Sequence, residues 1–271
     1  MLFHSSLQEI LQTVEPLEKF ERFERFYQNF LNADVNFEEN FVPLKFDQPS
    51  YEPFCSIVDP KKVSKRKRYD TVEGKATLIH AVCHIEYSAI DLALDAAYRF
   101  TDLPFEYYKD WLEVADDEIR HFKMLEVLLN ELGFKYGDFS VHNSLFEASQ
   151  RTQSLVERMA VVPRFLEANG LDATPFILEK LKRTEQDNYI KRLIEALNII
   201  LYEEIGHVKK GDIWFKYACD NEGLSSKVYF DIIERYYPES FPKKKGLNIE
   251  ARKESGFSCD ELNRMSNKEV C

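Results

Sequence analysis

The 271-residue sequence predicts an all-α fold: a four-helix bundle with a helical arm before it and a helical tail after it. Three observations lead there. Only nine Gly and ten Pro interrupt the chain, long runs repeat apolar residues at helical period, and alternating β-branched stretches are scarce. With 44% hydrophobic and 14% aromatic residues, the chain can bury a sizeable core. The expected partition is an N-terminal helix and wrapping arm over 1–70, the bundle over 71–222, and a helix and tail over 223–271.

Ser5 to Leu31 reads as one amphipathic helix bent at Pro16, with Leu7, Ile10, Leu11, Val14, Leu17, Phe20, Phe23, Phe26 and Phe30 near one side. Residues 33–63 hold Pro43, Pro49, Pro53 and Pro60 among scattered aromatics, which predicts an extended wrapping segment. KKVSKRKR follows at Lys61–Arg68, with six basic residues in eight. It reads as a solvated connection or as a contact for RNA or another anionic partner.

The first core helix is expected from Val72 to about Phe100, apolar on more than one side, with Glu86 set among Ala, Ile and Leu. Thr101-Asp102-Leu103-Pro104 turns the chain into a second helix that ends near Leu132, before Gly133. A crossover loop to about Asn143 contains His142. The third helix is expected from Ser144 to Asn169, where Asn169-Gly170-Leu171-Asp172-Ala173-Thr174-Pro175 reads as a break. The fourth runs from Tyr189 to about Cys219, with Gly206 and Gly211 leaving room for a close neighbour or small cavity. Val228 to Tyr237 reads as a short helix, and Lys243 to Cys271 as a charged surface or partly disordered tail.

Two of these helices carry the same short unit, Glu118-Ile-Arg-His121 and Glu204-Ile-Gly-His207. Residues three apart share a helix face, so each unit aims a carboxylate and an imidazole at one point, half a metal site. By count the unit is weak evidence, since 30 Glu and six His in 271 residues give about 0.7 chance matches at that spacing. Context strengthens it, because both units sit mid-helix in apolar surroundings where a carboxylate needs a partner. Glu86 lies 16 residues before Asp102 and Glu118 lies 16 after it, so an antiparallel hairpin puts both about 24 Å from the turn. The third helix offers Glu157 and Glu167. Counting depth from a turn near Gln186–Asn188 selects Glu167; Glu157 falls about 15 Å deeper and Glu179 too shallow. The expected metal ligands are therefore Glu86, Glu118, His121, Glu167, Glu204 and His207. His80, His84, Asp91, Asp95 and Asp117 are candidates to support those ligands, with ordinary packing as the alternative for each. Tyr87, Tyr98, Tyr189 and Tyr202 are read as core.

The blocks HAVCHIEYSAIDLALDAAYRF, DWLEVADDEIRHF, YGDFSVHNSLFEASQRT, VVPRFLEANGLDATP and EEIGHVKKGDIWF resemble a bacterial ferritin-like family catalogued as a domain of unknown function, over about residues 65–220. More distantly, the chain resembles the MiaE class of tRNA-modifying di-iron hydroxylases, where the corresponding Glu opens an Ala-rich block as in FLEANG; this likeness supports Glu167 over Glu157. The resemblance implies a ferritin-like four-helix bundle.

Four carboxylates and two histidines bring four negative charges to two divalent cations, a set suited to two iron ions, with manganese the alternative, and less suited to zinc hydrolysis. The expected activity is that of an O₂-dependent oxygenase or hydroxylase acting on a small-molecule or RNA-borne substrate. A ferroxidase or metal-storage protein would use the same ligands, and a metal-free scaffold none of them. A formal net charge of −11 argues against broad nucleic-acid affinity. Five scattered Cys in no paired spacing fit a reducing compartment, the cytoplasm, and neither a leader pattern nor a membrane-length apolar run is present.

Overall fold

A computed structural model describes residues 1–63, 68–243 and 246–271. The chain is all-helical, and among the described residues the only β pairings are two isolated bridges, Leu2 with Asn36 and Ile57 with Val141. No helix among them is long and apolar enough to cross a membrane. The chain divides into two compact units, Met1–Phe146 and Glu147–Cys271.

The first unit is built on a hairpin of α3 (Val72–Arg99) and α4 (Phe105–Glu131). Thr71 caps α3 by accepting the Gly74 N–H, and Pro104 stands immediately before α4. Nearly every side chain of α3 from Ala76 to Tyr98 is buried, as its apolar sequence requires. The tight turn is fixed from α4, where the Tyr107 hydroxyl donates to the Ala96 carbonyl at 3.0 Å.

The arm forms two helices where one bent helix was expected: α1 (Phe3–Gln12) and α2 (Pro16–Leu31). Pro16 starts the second helix, at the position where its missing N–H costs nothing. α1 packs on α3 and α2 on α4. Residues 33–59 are irregular, as the proline spacing predicts, and end in a single 3₁₀ turn at Pro60–Lys62. Lys61 and Lys62 are exposed there, whereas residues 64–67 of the expected basic contact lie outside the described residues.

α1 begins without a cap from Leu2, and Glu38 supplies one. Its carboxylate accepts the His4 N–H at 2.9 Å and the Ser5 N–H at 2.7 Å. Burial pushes this carboxyl upward, but the two N–H groups outweigh burial and hold it down to about 2. A folded-state value below the ordinary 4.5 gives stability that is present above pH 4.5 and is lost as pH falls toward 2. Glu38→Ala should therefore cost about 1–2 kcal/mol at pH 7. In thermal unfolding, the gap to the native protein should narrow steadily between those two pH values.

The second unit holds one long rod: α6 (Leu155–Val161), a π-helical turn (Val162–Glu167) and α7 (Ala168–Lys182), packed beside α8 (Asn188–Asn221). The preceding α5 (Ser144–Arg151) is a separate helix, so the third helix begins at Leu155 and not at Ser144. Ser154 accounts for the new start by accepting the Glu157 N–H. Nor does the rod break at Asn169–Pro175. Pro175 lies inside α7, and the Leu171 carbonyl that it leaves without a helical donor accepts a hydrogen bond from Asn248 Nδ2 at 3.2 Å. Pro163 likewise removes a donor inside the π turn.

Gly211 of α8 faces that turn: a Cβ there would stand 2.3 Å from the Pro163 Cβ. Gly206, on the same helix, has nothing within 4 Å. Gly211→Ala should destabilise by about 1–3 kcal/mol through overpacking, and Gly206→Ala should be neutral or stabilise by up to about 1 kcal/mol. Paired urea melts check both.

After α9 (Val228–Tyr236), the expected tail is folded over its described residues 246–266. It forms α10 (Ile249–Glu254) and α11 (Cys259–Ser266), with Phe257, Leu262 and Met265 buried. Arg252 clamps Asp172 of α7 bidentately, Nε to Oδ1 at 2.9 Å and Nη2 to Oδ2 at 2.7 Å. Contrary to the expectation of unpaired cysteines, Cys259 and Cys271 form a disulfide, while Cys55, Cys83 and Cys219 are buried and free. The spacing hid this pair because α11 folds the end of the chain back on itself.

Candidate metal centre

Three expected ligands meet inside the first unit. Glu86 from α3 and Glu118 and His121 from α4 each offer one donor atom within 4.8 Å of the others. His121 Nδ1 lies 3.2 Å from Glu86 Oε2 and 3.5 Å from Glu118 Oε2. The equal spacing of Glu86 and Glu118 about Asp102 thus does bring the two carboxylates to one level of the hairpin. Glu118 and His121 are fully buried and Glu86 is 3% exposed.

The electrostatics follow from that burial. Desolvation pushes the Glu86 carboxyl upward and the neighbouring Glu118 charge adds to it, raising it to about 7. His121 is pulled down by burial, but its hydrogen bonds and charge interactions with Glu118 and Glu86 prevail and lift it to about 11. Two carboxylates and an imidazole are thus gathered in a medium where charge is costly unless it is compensated. Oxygen and imidazole donors at these distances suit iron, manganese or zinc. Tyr87 and Phe122, the chain neighbours of Glu86 and His121, pack on one another and on Tyr136, with the Phe122 ring 5.4 Å from Tyr87 and 5.1 Å from Tyr136. Phe122 and Tyr136 were not singled out in the sequence; Phe122 follows His121 directly, and Tyr136 comes from the loop after α4.

The second unit carries the other three candidates on separate elements. Glu204 and His207 share one face of α8, His207 Nδ1 lying 3.5 Å from Glu204 Oε1, with His207 buried. Glu167 closes the π turn and is half-buried. Turns of this kind insert an extra residue into a helix and are frequent at functional sites. The competing Glu157 is committed elsewhere, to Arg235 at 3.1 Å, and Glu179 pairs with Arg183 near the surface.

The candidate supporting residues have structural roles. His84 donates from Nε2 to the His142 carbonyl at 2.7 Å and accepts the Tyr136 hydroxyl at Nδ1, 2.8 Å away. His80 Nε2 accepts the Gly137 N–H at 2.9 Å. Burial lowers both imidazoles to about 4, so each is neutral and serves to hold the 133–143 loop. Asp91 is taken by the buried Lys19 of α2 and by Ser50, Asp95 by Arg99, and Asp117 by Arg120. Tyr87 and Tyr98 are core residues, as expected, but Tyr202 is 75% exposed.

Comparison with known proteins gives a family without an assigned activity. The family described as "Protein of unknown function (DUF455)" matches residues 12–263. An "Uncharacterized protein" of Haemophilus influenzae is 37% identical over 272 residues, covering 96% of this chain and 92% of that protein. No solved structure matches the chain.

Proposed function

The chain belongs to the DUF455 family, and from the buried Glu86–Glu118–His121 group we propose that it is a di-iron carboxylate oxidoreductase, an O₂-dependent oxygenase or hydroxylase. The observation that carries the reading is the burial of two carboxylates and an imidazole with donor atoms within 4.8 Å of one another, a set that could hold a cation. In this reading Glu86, Glu118 and His121 form one half of the metal shell, and Glu167, Glu204 and His207 are the ligands of the other half. The support for the second half is the repeated Glu-x-x-His step, with a buried histidine in each copy.

When bound, two iron ions would supply the reduction of O₂ and transfer of one oxygen atom to a C–H bond, with two electrons from an external reductant. The chain's own contribution is electrostatic and steric. Glu86 and Glu118 offset the ions' positive charge, His121 fixes one donor direction, and the burial of all three keeps bulk water from the group. The substrate is a small organic or RNA-borne molecule.

The test is anaerobic titration with ferrous iron, then exposure to oxygen, followed by near-ultraviolet absorption and a count of bound iron. Two irons per chain and a new ferric absorption band support the proposal. No retained iron, or a band unchanged in Glu118→Ala, refutes it. A multi-megadalton assembly accumulating many irons per chain would instead indicate storage.

A further inference from the structure

The five cysteines divide by exposure. Cys55, Cys83 and Cys219 are buried and free, whereas Cys259 and Cys271, the bonded pair, are both exposed. Their Cα atoms lie 5.6 Å apart, within the ordinary span of a disulfide, so the backbone has no distance to travel when the bond forms or breaks. A bond open to solvent is within reach of a thiolate, and exposed disulfides belong with the labile and regulatory ones.

What the bond holds is small. On one side stands α11, which is secured without it: Leu262 and Met265 are buried, Ser258 and Glu261 form a reciprocal cap at its start, and Glu261 reaches the buried Arg164 at 2.9 Å. On the other side is the segment 267–271. Asn267 turns out of α11 with a left-handed backbone, φ 53°; Asn267, Lys268, Glu269 and Cys271 are exposed, and Val270 is half-buried. Asn263 holds the segment at two points, its carbonyl accepting the Lys268 N–H at 3.3 Å and its Oδ1 accepting the Val270 N–H at 2.8 Å. One half-buried valine and two hydrogen bonds at the surface fall short of the entropy of ordering such a segment. The covalent link supplies the rest, by closing a loop over a sequence separation of 12.

We propose that Cys259 and Cys271 form a reversible thiol–disulfide switch, which orders residues 267–271 against α11 when oxidised and releases them when reduced, while α11 itself stays folded. Low-molecular-weight thiols are the reductant. A thiolate RS⁻ attacks one sulfur of the pair; the S–S bond breaks, the other sulfur leaves as a thiolate and takes a proton from water, and a mixed disulfide remains. A second RS⁻ attacks the R-bearing sulfur, forming RSSR and expelling the second protein thiolate, which is protonated in turn. Two electrons thus pass from two thiols to the protein. RSSR runs the same exchange backwards, and the short loop between the two thiols favours reclosure.

The experiment equilibrates the full-length protein in mixtures of reduced and oxidised glutathione of varied ratio, quenches with acid, and counts alkylated thiols by peptide mass spectrometry. Hydrogen exchange of the ¹⁵N-labelled protein is then followed at the Lys268, Val270 and Leu262 amides in the fully reduced and fully oxidised forms. The pair should pass from closed to open within the glutathione series, with the buried Cys55, Cys83 and Cys219 unchanged throughout. On reduction, exchange at Lys268 and Val270 should rise about 10- to 100-fold, the effect of losing one short closed loop. Leu262, whose N–H is held by the Ser258 carbonyl at the start of α11, should change by less than about twofold. Cys271→Ser should show the reduced pattern in every mixture. The proposal is overturned if the pair stays closed in reduced glutathione alone, if it stays open in oxidised glutathione alone, if Lys268 and Val270 exchange alike in both forms, or if Leu262 accelerates with them.

Discussion

Replacing Arg164 with Met is expected to destabilise the protein by about 3–5 kcal/mol, the range for removing one partner of a buried ion pair. Arg164 is fully buried on the π turn. Its Nε lies 2.9 Å from Asp212 Oδ1 of α8, and its Nη2 lies 2.9 Å from Glu261 Oε1 of α11. The guanidinium also sits over three rings, Phe215 at 4.8 Å, Tyr229 at 4.5 Å and Phe257 at 4.6 Å. Met fills a similar volume but leaves the buried Asp212 with Lys216 as its remaining partner at 2.6 Å. At roughly 2–4 °C per kcal/mol, the midpoint should fall by about 10 °C. Arg164→Met/Asp212→Leu should recover part of that loss, because the stranded charge is gone. A single variant within about 1 kcal/mol of the native protein would show that the cluster does not hold the second unit together.

Glu118→Gln should act in opposite directions on metal affinity and stability. Losing one ligand should lower ferrous affinity by more than about 100-fold, since even residues that only orient a ligand cost 10- to 100-fold. The metal-free protein should become more stable, by about 1 kcal/mol, because the variant removes the charge on Glu118 that repels the buried Glu86 carboxylate. Such opposition marks a residue kept for chemistry. Competition against a chelator gives the affinity, and denaturant unfolding of the chelator-treated protein gives the stability. Loss of stability with metal affinity intact would make Glu118 a packing residue.

What the sequence revealed follows from what is local. The hairpin and its meeting of Glu86, Glu118 and His121 were readable because helical rise and a single turn convert residue counts into depth. α8 was readable through its continuous apolar period, and its end was misplaced by two residues only. The rod from Leu155 to Lys182 was not, because Pro175 ends a helix unless another group takes over the freed carbonyl, and that group, Asn248, lies 77 positions away. The π turn escaped notice for a related reason: its extra residue is accommodated by Gly211 on a different helix. Charged composition hid α10 and α11, whose anchors are Arg252 on Asp172 and Glu261 on Arg164. Ion pairs between distant segments leave no period to read. Glu38 escaped likewise, as it caps a helix that begins more than thirty residues earlier.

Crystals of iron-loaded protein, measured on both sides of the iron absorption edge, test the metal centre most directly. Two anomalous peaks about 3.5–4 Å apart, one of them bonded by Glu86, Glu118 and His121, are the predicted result. Iron bound elsewhere, with none of Glu86, Glu118 and His121 bonded to it, would contradict it.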